Sequence, residues 1–333
     1  MYTDEDLDAA VEKGIFSQQS VVQFREQLAS ETHSPAVDEE NFRLISGFND
    51  IFVIIACLLL MFSAAWVLKP VNETLGLLMY PLLSWGLAEF FVRQRKMALP
   101  AIVLLLGFVG GVFTLCMQVF ASFGDEAHVI ATAVAAIAAY LHWWRFRVPI
   151  TVAAGVAALL GFIVASVVSV LPDAKDWLMT LVFISGLATF AIAMYWDASD
   201  TARLTHRSDV AFWLHLLSAP MIAHPVFYNL GILEGSESIN SMMIVIGLYV
   251  VMSVISIAVD RRAFMVSSLG YVLYAISKIL EAYGDVSYSF AVTGVCIGAV
   301  LLLLSAFWRS TRKRLLAILP GGIQKYVPAV EPA

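Results

Sequence analysis

Of 333 residues, 60% are apolar or aromatic and only 14% are charged, with a formal net charge of −6. Soluble globular domains sit nearer 45–50% apolar and about 25% charged. The difference excludes a soluble enzyme, a disordered chain and a nucleic-acid binder. It leaves an all-α polytopic membrane protein, because the apolar runs are about 20 residues long rather than alternations of about ten.

Residues 1–46 read as a small cytoplasmic helical pair followed by an acidic linker. Thr3 and Asp6 have capping-box spacing, Leu7, Ala10 and Val11 form an apolar stripe, and Gly14 is placed to stop the first helix. Ser17 caps a second helix carrying Val21, Val22, Phe24 and Leu28, and residues 30–41 (SETHSPAVDEEN) are polar linker. Residues 1–40 hold ten of the 26 acids and two bases, Lys13 and Arg25. The acidity therefore belongs to this tail and is no sign of a cationic substrate. The pair is too small to fold alone, which makes residues 1–40 the candidate docking site for a cytoplasmic protein partner. No cleavable signal is expected, since the first apolar run begins only near Phe48.

Ten apolar runs follow, near 48–68, 74–92, 98–123, 127–144, 149–171, 176–196, 209–233, 239–259, 263–283 and 286–308, so the transmembrane domain spans 47–309. Each can cross a hydrocarbon layer of about 30 Å at about 1.5 Å per residue. Lys and Arg set the orientation. Seventeen of the 20 bases lie in the N-terminal segment, in the loops after even-numbered runs or from Arg309 through the tail 310–333. Only Lys69 and Lys175 lie opposite, and Lys278 lies inside a run. The pattern predicts that both termini are cytoplasmic, with the lipid bilayer as the main partner. Trp66, Trp143, Trp144, Trp177, Trp196 and Trp308 fall at run ends and read as interfacial anchors. Residues 312–319 (RKRLLAIL) read as a basic amphipathic piece on the cytoplasmic leaflet.

Helices in lipid pack closely through small residues. Ala153, Ala157, Gly161, Ala165 and Ser169 repeat every fourth position and predict that the fifth helix is central. Gly107 with Gly111, and Gly294 with Gly298, are GxxxG pairs that predict helix contact. Runs three–four and nine–ten align at an offset of 160, with Gly110 on Gly270 and Gly124-Asp125 on Gly284-Asp285. The alignment reads either as a parallel repeat or as two apolar hairpins sharing a turn.

Ionisable groups at membrane depth are costly and mark candidate sites. Glu89 precedes Arg93 by one turn and reads as an ordinary ion pair. Asp209 reads as an N-terminal helix charge and His142 as an interfacial residue. Lys278 and Glu281 share a face near the outer surface, as a mutual pair or as the lining of an outward cavity, and Gln118 holds the matching place in the candidate repeat. The seventh run carries Pro220 and Pro225, which remove helical hydrogen bonds. Its freed carbonyls, with His215, Ser218, His224 and Asn229 nearby, predict a broken helix with a solute cavity; a kinked structural helix is the alternative.

No cofactor or metal is expected. His215 and His224 are nine residues apart, half a revolution round a helix, and cannot share an ion. His128 and His142 have a spacing suited to two haems, but the partner helix lacks it. Cys57, Cys116 and Cys296 lie inside apolar runs and read as small hydrophobes. No Ser-His-Asp, Walker A, HExxH or GxGxxG pattern supports catalysis.

The stretch Leu7–Leu28 (LDAAVEKGIFSQQSVVQFREQL), with Gly14-Ile15 at its centre, resembles a group of uncharacterised bacterial polytopic membrane proteins. They begin with a short cytoplasmic helical pair around a glycine–isoleucine stop. The resemblance implies a many-span architecture and carries no activity or site residue. The functional expectation is a transporter of a small solute or ion. The alternative is a scaffold, assembly factor or sensor that docks a partner through the N-terminal segment.

Overall fold

The computed structural model describes residues 10–31, 48–200, 206–231, 239–283 and 289–320, with residues 324 and 327. It divides into two units, Met1–Phe42 and Arg43–Ala333.

In the first unit Gly14 adopts φ +69°. Its N–H donates to Val11 O and that of Ile15 to Ala10 O, both at 2.9 Å. This is the paired 5→2 and 6→1 closure that a left-handed residue permits at a helix end. Ser17 Oγ accepts the Ser20 N–H at 3.1 Å and opens the helix Gln18–Glu31. Thr3 and the linker lie outside the described residues.

The second unit is a helical bundle, and among its described residues there is no strand. Its helices are α1 (Phe48–Leu68), α2 (Glu73–Ala88), α3 (Ala98–Val119), α4 (Glu126–Phe146), α5 (Ile150–Val170), α6 (Leu178–Ala198), α7 (His206–Asn229), α8 (Ile239–Val259), α9 (Ala263–Tyr283), α10 (Ser289–Ala306) and α11 (Trp308–Ile318). A π-turn, Glu89–Gln94, continues α2. Among the described residues nine helices are long and apolar enough to cross a membrane, and α10 meets the same test jointly with α11, across a 76° bend. The chain is a multi-pass helical membrane protein.

The most extensive packing is between α2 and α3, α4 and α5, α6 and α7, and α8 and α9. Each pair is an antiparallel hairpin whose turn lies at the end rich in Lys and Arg, called here the basic end. Three of these turns use a left-handed residue that is not glycine: Lys96 (φ 52°), Arg147 (φ 56°) and Asp260 (φ 62°). At the last, Asp260 N–H donates to Ile257 O and Arg261 N–H to Ser256 O, the same closure as at Gly14.

The centre of the bundle is α7, not α5. α7 packs on α6, α9 and α5, and so joins the two sides of the bundle. Ten of its residues are buried, against three in α5: Ile150, Thr151 and Ala153. In the α5 stripe Gly161 faces α4, where an added Cβ would stand 3.3 Å from Thr132 Cγ2, and Ala153 belongs to the buried cluster of Ala193, Val210 and Leu214 on α6 and α7. Small residues let a neighbour approach; they do not require neighbours all round. The GxxxG pairs also part company. A Cβ on Gly107 would meet Ser84 Oγ at 2.5 Å and one on Gly111 would meet Pro81 Cδ at 2.8 Å, so α3 presses on α2. Gly294 and Gly298 have nothing within 4 Å of such a Cβ. Trp66, Trp144 and Trp177 are exposed, as anchors would be, but Trp308 is buried.

Candidate functional site: a buried ion cluster on the central helix

Asp197 ends the inward face of α6, after Ser185, Gly186, Thr189 and Ala193, all buried against α7 at helical spacing. On α7, Ser208, Phe212 and His215 fall at i, i+4 and i+7, one stripe facing this carboxylate. The α8–α9 turn supplies the third member, Arg261. His215 Nε2 stands 2.8 Å from Asp197 Oδ2, and an Arg261 guanidinium nitrogen donates to Asp197 Oδ1 at 2.7 Å. The same guanidinium donates to Ser208 O at 3.2 Å and lies 5.9 Å from the centre of the Phe212 ring. The Arg261 carbonyl accepts the Ser256 hydroxyl. Side-chain exposure is 0% for Asp197 and His215 and 3% for Arg261.

Burying three ionisable groups is tolerable only because each charge is matched and bonded. With the carboxylate ionised, the hydrogen bond places a proton on His215 Nε2. Asp197 and Arg261 then neutralise one another. The cluster joins a carboxylate, an imidazole and a guanidinium from α6, α7 and the α8–α9 turn.

Two further clusters occupy the basic end. Asp260 Oδ1 accepts Trp308 Nε1–H at 2.7 Å and lies 3.6 Å from Arg312 Nε. Glu89, in the π-turn, accepts Arg145 in a two-pronged pair at 2.7 and 2.8 Å, with Arg93 at 3.3 Å. The local Glu89–Arg93 pair is therefore the weaker half of a bridge between α2 and α4. His142 is fully buried rather than interfacial, with Nδ1 3.2 Å from Thr151 Oγ1 and its ring among Trp85, Phe108 and Phe146. At the opposite end Lys175 donates to Asp125 at 2.7 Å and holds that carboxyl below its ordinary range.

No protein-family model matches the chain, and neither does any curated protein or solved structure. The reading of the site rests on its geometry.

α7 runs unbroken from His206 to Asn229 through both prolines, so the expected break is not there. Pro220 is exposed and Pro225 buried. Ser218, also buried, donates to the His215 carbonyl at 3.1 Å. His224 bonds to the Tyr271 hydroxyl of α9, and Phe227 stacks on the same ring at 4.4 Å. His215 thus faces α6 and His224 faces α9, as their half-revolution spacing requires, and the fold does not bring them together. Asn229 is exposed at the end of α7. Gln118 donates to Glu73 Oε2 at 3.2 Å. Lys278 lies 5.8 Å from the centre of the Tyr274 ring, while the Glu281 side chain lies outside the described residues. Among the described residues no three His, Cys, Asp or Glu side chains converge as metal ligands would.

Sequence reasoning missed Asp197 and Arg261. Asp197 sits one residue beyond the sixth apolar run, where it looks like loop. The available signal was charge balance: on a side of the chain otherwise rich in bases, an acid at a run end needs a partner.

Proposed function

We propose that this multi-pass membrane protein moves a small solute or ion across a bacterial inner membrane, with its basic end and both termini in the cytoplasm. The supporting observation is that His215 of the most buried span, α7, is joined to Asp197 of α6 and Arg261 of the α8–α9 turn in a buried ion cluster. Ionisable groups buried within a membrane bundle are costly and by default mark conduction or coupling. The two prolines ease bending of α7 between His215 and the Phe227–Tyr271 stack. Membership of the bacterial group resembled by Leu7–Leu28 belongs to the same reading.

The test uses the full chain in proteoliposomes under an imposed pH gradient, with currents recorded for panels of inorganic ions, amino acids and carboxylates. At least one panel member should carry a current that Asp197→Asn abolishes in equally folded protein. Pro220→Ala with Pro225→Ala should abolish it too, with stability kept or raised. A current unchanged in Asp197→Asn removes the cluster from the mechanism.

The topology follows separately. Reporter fusions at Gly235 and Gly284 should register periplasm, and fusions at Arg95, Thr205 and Arg262 cytoplasm. One reproducible inversion would break the ten-span alternation.

A second reading draws support from the pairing of Asp197, Asp260 and Glu89 with arginines, which braces the basic end as a rigid platform. On that reading residues 1–40 dock a cytoplasmic partner. A deletion phenotype rescued by Asp197→Asn, but not by a chain lacking residues 1–40, would select it.

A further inference from the structure

α11 leaves the bundle at 76° to α10, so it runs across the basic end rather than along the spans. Its two long faces differ. Trp308 and Arg312 are 3% and 4% exposed. Trp308 packs with Ile257 and Met265, with Leu315 against the same group. The other face shows Arg309, Ser310, Lys313 and Arg314 over two turns, then Ala317 and Ile318. Beside it Phe307 is 60% exposed and Ile318 82%. Cations flanked by exposed apolar side chains on a helix lying across the spans match the boundary between phospholipid headgroups and acyl chains. The cations are complementary to a negative headgroup, and the apolar residues to the chain region beneath it.

The inward face connects to the ion cluster. Asp260 holds Trp308 and Arg312, and the next residue, Arg261, holds Asp197. The α8–α9 turn therefore ties α11 to the Asp197–His215 contact between α6 and α7.

We infer that α11 is a docking helix for anionic phospholipid headgroups, latched by Asp260 to the turn that places Arg261 in the ion cluster. This does not depend on whether the protein transports anything. A bound headgroup anchors α11 against the basic end, and the latch carries that restraint to the α8–α9 turn.

The purified full chain, stripped of lipid in mild detergent, can be titrated with phosphatidylglycerol or phosphatidylcholine and its bound lipid counted by native mass spectrometry. Each base near an anionic surface contributes about fivefold in affinity. Wild type should prefer phosphatidylglycerol by at least about tenfold on that basis. Arg309→Gln with Lys313→Gln and Arg314→Gln should lose the preference. Arg95→Gln with Lys96→Gln and Arg147→Gln removes the same charge from the hairpin turns and should keep it. If the first triple variant does not fold, Ser310→Glu, which sets a like charge in the stripe, should weaken the preference by itself. Retention by the α11 variants, or equal loss in both triple variants, overturns the docking helix. Full competition by excess inorganic phosphate would show a phosphate site and overturn the lipid assignment. Asp260→Asn should keep the preference but lose the rise in melting temperature that phosphatidylglycerol gives wild type. An undiminished rise overturns the latch.

Discussion

Arg261→Met should destabilise the folded protein by about 3–5 kcal/mol, the usual consequence of stranding one charge of a buried pair. The substitution keeps side-chain volume, so packing changes little. What changes is Asp197, which is fully buried and loses its 2.7 Å partner. Its carboxylate would retain only His215, at 2.8 Å. Ser208 O loses a donor in the same step. Asp197→Leu combined with Arg261→Met removes both charges together, and it should recover most of the loss, because a well-packed apolar pair is often neutral or better than a buried ion pair. The comparison is read from detergent melts of the two single variants and the double variant, as a double-mutant cycle. A loss below about 1 kcal/mol for Arg261→Met, typical of exposed pairs, would mean that the cluster is hydrated and not desolvated as its burial implies. Separable stability and current effects would further distinguish a clamp from a coupling site.

Gly186→Ala should cost about 1–3 kcal/mol, the range for forcing extra volume into a tight contact. Its Cβ would stand 2.9 Å from the backbone carbon of Met221 and equally close to Ile222 Cγ1. A flexible side chain can move aside, but the helix backbone of α7 cannot, so α6 and α7 must separate. Asp197 lies eleven residues further along the same face of α6. Separation at Gly186 should therefore loosen the His215–Asp197 contact about three turns away. Gly298→Ala is the control. Nothing stands within 4 Å of its added Cβ, and alanine is the better helix former by about 1 kcal/mol. Thermal melts of the two variants should move in opposite directions or leave Gly298→Ala unchanged. Equal losses would mean that the glycines of α10 are covered as closely as those of α6.

The helices of this protein are legible in its sequence for a local reason. A segment in lipid must satisfy its own backbone hydrogen bonds, so an apolar run of about 20 residues can only be a helix. The stop at Gly14 and the start at Ser17 are local too, each set by the conformational freedom or hydrogen-bonding reach of one residue. The GxxxG pairs were legible only in part: Gly107 and Gly111 admit the close approach of α2, whereas Gly294 and Gly298 have nothing within 4 Å of an added Cβ.

Which helix stands at the centre was not readable. In water, an apolar stripe tells the buried face from the wet one. In lipid both faces are largely apolar, so only the polar His215, Ser218 and His224 marked α7 as enclosed, and the small-residue stripe of α5 pointed the other way. The small-residue stripe of α5 records close approach to α4 and, at Ala153, to α6 and α7, whereas α7 gained its place from contacts with α5, α6 and α9. The ion cluster was hidden for a related reason. Asp197 and Arg261 are 64 residues apart, and Glu89 and Arg145 are 56 apart. Each looks like a loop charge beside its own helix. Only the convergence of hairpin turns at one end of the bundle pairs those separate charges, burying Asp197 with Arg261 and leaving Glu89 and Arg145 about one-third exposed.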